Sequence, residues 1–283
     1  MNTYQHKTFQ LYNTLTKEQT SFFNQHGILH FKNFINRETV KTFTSEIDKI
    51  QKELVNNNIT KVNGVPLKYG YDSSGNRIIQ RLAFTSHYSN VLSNFLKDKR
   101  FIHLLPLLGN YEGRIGENEK DGLVVNHYEN SAFSSFKQMG WHTDSPRDLF
   151  LGGRIMPMLN VGLHLDDCPF DNGGLRVLPG THKQNLFSLL FKKKYFLDNN
   201  PDSKEIGFDI EAGDLTIHNG SIWHRVEQSP HKGRKSIRRV MYIPIITGKY
   251  QPKHSRSRTP FYHKLGQVNL QNLFLKQVPD YID

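Results

Sequence analysis

The stretch Trp141-His-Thr-Asp144, taken together with Asn219-Gly-Ser-Ile-Trp-His224 further along the chain, indicates both the fold and the chemistry. Two imidazoles and one carboxylate can fill three adjacent positions of an octahedral iron(II), the 2-His-1-carboxylate arrangement of non-heme iron oxygenases. The remaining positions then stay open for a co-substrate and O2. The pattern predicts His142, Asp144 and His224 as catalytic metal ligands.

Two other histidines compete with this assignment. A second triplet, His164-Leu-Asp166, shows that chance also produces the spacing. We interpret His164 as a residue inside an apolar strand and Asp166 as part of the turn that follows it. On the residues alone His218, which lies shortly before His224, remains an alternative distal ligand.

An arginine pair, Arg238-Arg239, follows on a predicted strand. The planar guanidinium fork matches a carboxylate, so either residue can anchor a carboxylate co-substrate. Successive strand residues face opposite sides, so only one of the two can point inward. The periodicity does not choose between them.

The segments from about residue 122 onward are short and separated by turn residues, a pattern typical of β-structure. Candidate strands cover residues 123–128, 140–142, 158–165, 175–178, 207–210, 214–218, 222–226 and 237–246. This set predicts a mainly β fold with flanking helices, built as a double-stranded β-helix (jelly-roll or cupin-like) barrel. We expect one domain over residues 1–283, with a helical N-terminal part of about 1–120, a barrel core of about 121–248 and a C-terminal extension of 249–283.

The helix signals lie mainly in the N-terminal part. A capping box begins at Thr16, and Gly27 is expected to end the helix that follows. Asn36 can cap a second helix whose apolar residues recur every three or four positions. Residues 183–203 form an insertion in the barrel, partly helical, which we predict to act as a lid because long loops in compact domains are often functional.

The charge and composition of the chain restrict the molecules that it can be expected to bind. The net charge of +11 favours an anionic ligand, and Lys137, Arg147 and Arg154 flank the expected barrel mouth. We expect no nucleic-acid partner, because the sequence contains no recognisable nucleic-acid-binding module. No signal segment or membrane-spanning apolar run is found, and the single cysteine excludes an internal disulfide, so we expect a cytoplasmic protein without membrane contact. Phosphate-binding loops, nucleophile elbows and Cys-x-x-Cys zinc pairs are absent from the sequence.

Five collinear motifs resemble the phytanoyl-CoA dioxygenase family of Fe(II)/2-oxoglutarate oxygenases over roughly residues 15–246. They are Leu15-Thr-Lys-Glu-Gln-Thr-Ser-Phe-Phe-Asn-Gln-His-Gly-Ile-Leu29, Trp141-His-Thr-Asp144, Asn172-Gly-Gly-Leu-Arg-Val-Leu-Pro-Gly-Thr-His182, Ala212-Gly-Asp-Leu-Thr-Ile-His-Asn-Gly-Ser-Ile-Trp-His224 and Arg238-Arg-Val-Met-Tyr242. The resemblance places His164 in a middle strand, favours His224 over His218 and puts Arg238 at the co-substrate anchor.

The resemblance implies Fe(II) as cofactor, with 2-oxoglutarate and O2 as co-substrates. The keto-acid end of 2-oxoglutarate would chelate the iron, and Arg238 would pair with the far carboxylate. Asn126 and Tyr128, on the strand before the triplet, are candidate contacts to 2-oxoglutarate or substrate. The segment from His224 to Arg238 is a few residues longer than the family pattern, which leaves Arg234 and Arg239 as alternatives.

The implied reaction is hydroxylation of an anionic small-molecule or carrier-linked substrate, with release of succinate and CO2. A carboxylate at Asp144 supports hydroxylation, because related halogenases carry a small residue there, although desaturation or ring closure can start from the same iron chemistry. Two alternatives stay open: a non-catalytic barrel that binds an anionic ligand or nucleic acid, and a cupin-type metal enzyme that does not use 2-oxoglutarate.

Overall fold

The structure is a computed structural model that describes residues 4–145 and 154–260. Arg147 and most of the predicted C-terminal extension, residues 261–283, therefore lie outside the described residues. The helices are α1 (Lys17–His26), α2 (Arg37–Asn56), α3 (Asn90–Phe95) and α4 (Leu186–Phe191). The strands are β1 (Ile28–Phe31), β2 (Lys61–Val62), β3 (Val65–Pro66), β4 (Lys68–Tyr71), β5 (Arg77–Leu82), β6 (Arg114–Ile115), β7 (Val124–Tyr128), β8 (Met139–His142), β9 (Met158–His164), β10 (Gly174–Val177), β11 (Leu215–Asn219), β12 (His224–Glu227) and β13 (Arg238–Ile246).

Two facing antiparallel sheets form the barrel. The larger sheet runs β1-β11-β9-β13-β7-β5-β4, with β6 paired to β13, and the smaller sheet runs β10-β12-β8. Strands that are consecutive in the chain alternate between the two sheets from β7 to β13, as in a jelly roll. The predicted double-stranded β-helix fold with flanking helices is confirmed. The division of residues 1–283 into one domain with three parts stays a prediction.

One predicted strand is wrong. Residues 207–210 form no strand; single bridges join Ile206 to Val177 and Ile210 to Cys168. The reason lies at Gly207, where an added Cβ would fall 2.3 Å from the guanidinium of Arg176. That buried side chain lies against the segment between the two bridges and interrupts the ladder.

Local sequence explains the flanking helices. Thr16 and Gln19 form the reciprocal capping box of α1, and Gly27 ends the helix in a left-handed conformation (φ 78°) that glycine adopts without strain. Asn36 caps α2, whose buried residues follow a helical period. These are Val40, Phe43, Ile47, Ile50 and Leu54.

Helices α1, α2 and α3 cover the outer face of the larger sheet, whereas α4 lies in the insertion beside the smaller sheet. On β13, Met241, Ile243 and Ile245 point to this side and join the main hydrophobic core. The intervening residues Arg238 and Tyr242 point into the barrel, where they line an internal cavity. The strand alternation therefore divides β13 into a core-forming face and a face that lines the site. Among the described residues, none of the helices combines the length and apolar character needed to cross a membrane.

Candidate metal and co-substrate site

The smaller sheet brings the predicted triad together at the barrel mouth. His142 ends β8, His224 begins β12, and the two residues are direct cross-strand partners. Asp144 follows in the next loop, where its backbone N–H donates to Gly220 O at 2.8 Å. One ligand atom from each of His142, Asp144 and His224 lies within 4.8 Å of the other two, so the group can hold a metal ion.

Both histidines are oriented by their own backbone. The Nδ1 of His142 lies 2.8 Å from Gly140 O, and the Nδ1 of His224 lies 3.1 Å from Ile222 O. A carbonyl only accepts, so each Nδ1 carries the proton and each Nε2 presents a lone pair to the site. Burial lowers the pKa of His142 and, together with the neighbouring imidazoles, lowers the pKa of His224 well below its usual value. Neutral imidazole is the form that binds a metal.

Asp144 is held as a carboxylate. Burial opposes its ionisation, but the imidazoles of His224, His218 and His142 bring the pKa of Asp144 well below its usual value. Asn160 donates from Nδ2 to Asp144 Oδ2 at 2.9 Å. The distances from Asp144 to His142 Nε2 and His224 Nε2 are 4.0 and 3.8 Å. Two neutral imidazoles and an ionised carboxylate at these separations fit a divalent iron site.

Of the two competing histidines, His164 lies apart from the triad and His218 lies beside it. His164 ends β9 and its Nε2 lies 3.0 Å from Thr216 Oγ1, while burial lowers its pKa to about 3. Asp166 forms an ion pair with Arg239, so the second triplet does not converge on one point. His218 is nearer the triad, since its Nε2 is 3.5 Å from Asp144 Oδ2. It therefore lies beside the carboxylate of the triad.

The three candidate arginines have different surroundings. Arg234 is exposed in the turn before β13. Arg239 points outward and pairs with Asp166 at 2.7 Å. Arg238 is buried in the barrel, and its guanidinium donates only to backbone carbonyls, including Lys137 O at 3.2 Å. Of these three, Arg238 alone faces the interior, and it has no carboxylate partner among the described residues.

Asn126 and Tyr128 line the same interior. Asn126 donates from Nδ2 to Tyr128 Oη at 3.2 Å, while its Oδ1 is buried without a hydrogen-bond partner. Tyr128 pairs in register with Arg238, whose guanidinium lies 5.7 Å from the ring centroid. An unsatisfied buried oxygen is unfavourable unless a ligand supplies a donor, so Asn126 is placed to contact one.

Three site-facing residues were missed by sequence reasoning. Tyr242 shares the inward face of β13 with Arg238, and strand alternation could have found it. Arg81 pairs in register with Asn126, and Lys68 pairs with Arg81, so both cations share that face across three strands. No sequence signal marks them, because the pairing of β4 and β5 with β7 is set only by the tertiary fold.

The insertion, residues 183–203, is docked onto the triad. Trp141 Nε1 donates to Asn200 O at 2.9 Å, and Trp223 Nε1 donates to Gln184 Oε1 at 3.1 Å. Tyr195 Oη is 2.7 Å from Thr143 Oγ1. Each metal-ligand segment is therefore tied to the insertion through a residue next to the ligand, which makes the insertion part of the wall of the site.

A groove of about 630 Å³ lies outside the barrel, between α2 and the outer face of the larger sheet. It contains several cations, but Arg37 is paired with Asp167 and Arg239 with Asp166. The chemistry of the triad is on the other face of the sheet. The volume of the groove therefore does not make it the reaction site.

The chain belongs to the phytanoyl-CoA dioxygenase (PhyH) family, whose profile matches residues 23–236. This is a family of non-heme Fe/2-oxoglutarate-dependent oxygenases, which agrees with the resemblance predicted from the motifs. The matched region includes all three triad residues and ends just before Arg238. No protein of curated function matches the chain by sequence.

Solved structures of non-heme 2-oxoglutarate enzymes share the fold. HygX from Streptomyces hygroscopicus, solved with nickel and 2-oxoglutarate bound, is 16% identical, with 84% of this chain and 89% of that chain covered and a TM-score of 0.57. SnoK, a non-heme alpha-ketoglutarate-dependent carbocyclase from nogalamycin biosynthesis, is 16% identical, with coverages of 89% and 91% and a TM-score of 0.61. SnoN, an epimerase of the same biosynthesis, is 14% identical, with coverages of 87% and 92% and a TM-score of 0.60.

Proposed function

We propose that this chain is an Fe(II)- and 2-oxoglutarate-dependent oxygenase that hydroxylates an anionic small molecule. The observation that carries the proposal is the triad of His142, Asp144 and His224, with two neutral imidazoles aimed by their backbone and one ionised carboxylate. When bound there, iron with 2-oxoglutarate supplies oxidation of an unactivated C–H bond by O2. Succinate and CO2 are the co-products.

Arg238 is the proposed anchor for the far carboxylate of 2-oxoglutarate. Its guanidinium is buried and has only neutral carbonyl partners among the described residues, so an incoming carboxylate would compensate its charge. Asn126 and Tyr128 are proposed to contact 2-oxoglutarate or substrate beside it. The free Oδ1 of Asn126 is an acceptor, so it supports contact with a donor group of the substrate rather than with 2-oxoglutarate.

An anionic substrate is supported by Lys68, which shares the inward face with Asn126 and Arg81; Arg81 itself is already paired with Asp121 at 2.8 Å. The Lys68 ammonium lies 4.3 Å from the centre of the Phe136 ring, and no carboxylate in the described part of the chain forms an ion pair with it. Burial, together with the nearby Arg81, lowers the pKa of Lys68 to about 8. A substrate anion would form the ion pair that Lys68 lacks and would stabilise the charged form of its ammonium group.

Hydroxylation is the finer part of the proposal, since structurally similar enzymes include an epimerase and a carbocyclase. Asp144 argues against halogenation, because a carboxylate at that position would occupy the coordination site that a halide needs, and the choice among the other outcomes is left to experiment. The test is transfer of one labelled oxygen atom from O2 to the product. Cyclised or epimerised product without the label would contradict hydroxylation. A cytoplasmic location also stays a prediction.

Anaerobic binding of Fe(II) and 2-oxoglutarate tests the site itself, through the visible charge-transfer band of the complex. We expect the band in wild type and in His164→Ala, and its loss in His142→Ala. His164 is the matched control because it is also a buried strand histidine, and its Nε2 bonds Thr216. A folded wild type without the band, or loss in His164→Ala alone, would refute the proposed site. Stoichiometric succinate separates this enzyme from a metal enzyme that does not use 2-oxoglutarate.

A further inference from the structure

Phe196 lies directly against a triad histidine. Its ring is stacked on the ring of His142, with a centroid separation of 4.8 Å and an interplanar angle of 28°. Even so, 57% of Phe196 is exposed, whereas His142 is buried. The ring therefore covers the outer side of the histidine and leaves much of its own surface free at the mouth of the site.

The backbone holds Phe196 in this place. Its N–H donates to Trp141 O at 2.9 Å, and the N–H of Trp141 donates to Asp198 O at 2.8 Å. Residues 196–198 thus add a short strand-like pairing to the free edge of β8. Gly140 permits the close approach, because an added Cβ would lie 2.6 Å from Phe196 O.

The conformation of Phe196 is itself unusual. Its φ is +60°, in the left-handed region that a bulky side chain rarely adopts. Strain of this kind persists only where the surroundings impose it, and it concentrates at functional sites. The backbone at Phe196 is therefore held in an unfavourable conformation that places the ring against His142.

We propose that the free surface of Phe196 is a wall of the substrate site and selects a substrate with a flat, apolar part beside the bond that reacts. This inference rests on the proposed function and adds a specificity residue to it. An aromatic face attracts rings and aliphatic C–H surfaces by stacking and edge contacts. The cation Lys68 belongs to the larger sheet, next to an Arg81 that is paired with Asp121, whereas Phe196 stands against the smaller sheet. The two sides of the site would thus accept an amphipathic molecule, apolar against Phe196 and anionic on the opposite sheet.

The test uses full-length protein loaded with Mn(II) and saturating 2-oxoglutarate, and naphthalene-2-methanol as the probe. This neutral, flat alcohol lacks a carboxylate and so does not compete for Arg238. Paramagnetic broadening of its proton NMR lines reports binding near the metal, and methyl glucoside serves as the polar comparison. We expect broadening of the naphthalene lines only, and an affinity about five-fold weaker in Phe196→Ala, the size expected for one aromatic contact.

The matched control is Phe187→Ala, because Phe187 belongs to the same insertion and is 73% exposed. Its only ring contact in the described chain is with Phe191. Phe187→Ala should bind the probe like wild type. Phe196→Leu should retain part of the affinity, since leucine keeps an apolar surface. Phe196→Gly should behave like Phe196→Ala while it adopts the left-handed backbone without strain.

The Fe(II)–2-oxoglutarate charge-transfer band, measured on the same proteins, distinguishes failure of the proposed function from failure of the substrate-wall inference. If wild type lacks the band, the proposed function fails. If the band is present in wild type and in Phe196→Ala but probe binding is unchanged, only the substrate-wall inference fails. The substrate-wall inference also fails if wild type does not bind the probe, or if Phe187→Ala loses as much affinity as Phe196→Ala. It fails too if Phe196→Ala loses the charge-transfer band, because Phe196 would then serve only to position His142.

Discussion

Replacement of Arg238 by glutamine should weaken 2-oxoglutarate binding strongly and leave iron binding intact. The guanidinium of Arg238 already donates to the carbonyls of Glu227, Ser236 and Lys137, so its orientation is fixed before ligand arrives. Glutamine can still donate to one of these carbonyls but carries no charge. The variant therefore tests the charge of the side chain more than its volume.

The size of the effect follows from the hydrogen bonds that a carboxylate would make. A charge-assisted hydrogen bond contributes about 1.5–3 kcal/mol, and a guanidinium binds a carboxylate through two of them. At the lower end the loss is about 3 kcal/mol, which corresponds to roughly 100-fold in the dissociation constant. Titration of anaerobic Fe(II)-protein with 2-oxoglutarate, followed by the charge-transfer band, measures this directly.

Arg239→Gln is the matched control, one position along the same strand. Arg239 points to the opposite face and pairs with Asp166 at 2.7 Å, so its loss should lower stability without changing 2-oxoglutarate affinity. Thermal unfolding supplies a second readout, because a ligand at about 100 times its dissociation constant stabilises the native state by about 2.7 kcal/mol. At the same ligand concentration, that stabilisation should fall to about 0.4 kcal/mol in Arg238→Gln. Wild-type affinity in Arg238→Gln, or an equal loss in Arg239→Gln, would refute the anchor assignment.

Two further substitutions test the framework of the site. Asp214 is buried and accepts hydrogen bonds from His30 and Lys32 at 2.9 Å, so Asp214→Asn should lower the free energy of unfolding by about 3 kcal/mol at neutral pH. Burial opposes ionisation of Asp214, but these hydrogen bonds hold the pKa of its carboxyl group well below the usual value. The ionised carboxylate therefore stabilises the fold above about pH 4, and this contribution is lost as the pH falls toward the folded-state pKa. Urea unfolding at several pH values should show the difference between wild type and variant shrinking in acid, and a constant difference would contradict the assignment. Gly140→Ala places a Cβ 2.6 Å from Phe196 O, so it should lower the free energy of unfolding by about 1–3 kcal/mol and displace Phe196 from His142. Urea unfolding measures the loss. Unchanged stability would show that the chain around Phe196 moves aside freely.

Local sequence predicted the features that depend on periodicity and capping. The strand alternation of β13 correctly placed Arg238 with Tyr242 and Arg239 with Met241, because side chains alternate strictly along a strand. The capping residues Thr16 and Asn36 were equally readable, since each side-chain bond involves a backbone group within the same turn. The choice between the two arginines was not readable, because it depends on which face of β13 is covered by α2.

The features that the sequence could not show depend on contacts between distant segments. The predicted strand at 207–210 does not form because of the position of Arg176, which no local pattern reveals. The stacking of Phe196 on His142 depends on pairing of the insertion with the edge of β8. Lys68 and Arg81 reach the site only because β4 and β5 extend the larger sheet beyond β7. Each requires the register of two strands to be known first.

Hydrogen bonds hold the connection between His224 and Arg238 against the chain that follows β7. The loop after β12 folds back onto Asn130, whose Nδ2 donates to Ser229 O at 2.9 Å and whose carbonyl accepts from Gly233 N at 3.0 Å. The backbone N–H of Asn130 also donates to Ser236 Oγ at 2.8 Å. The loop is thus fixed to the chain just after β7, so β13 begins in register with that strand. Arg238 therefore lies opposite Tyr128 inside the barrel, where the proposed anchor needs it.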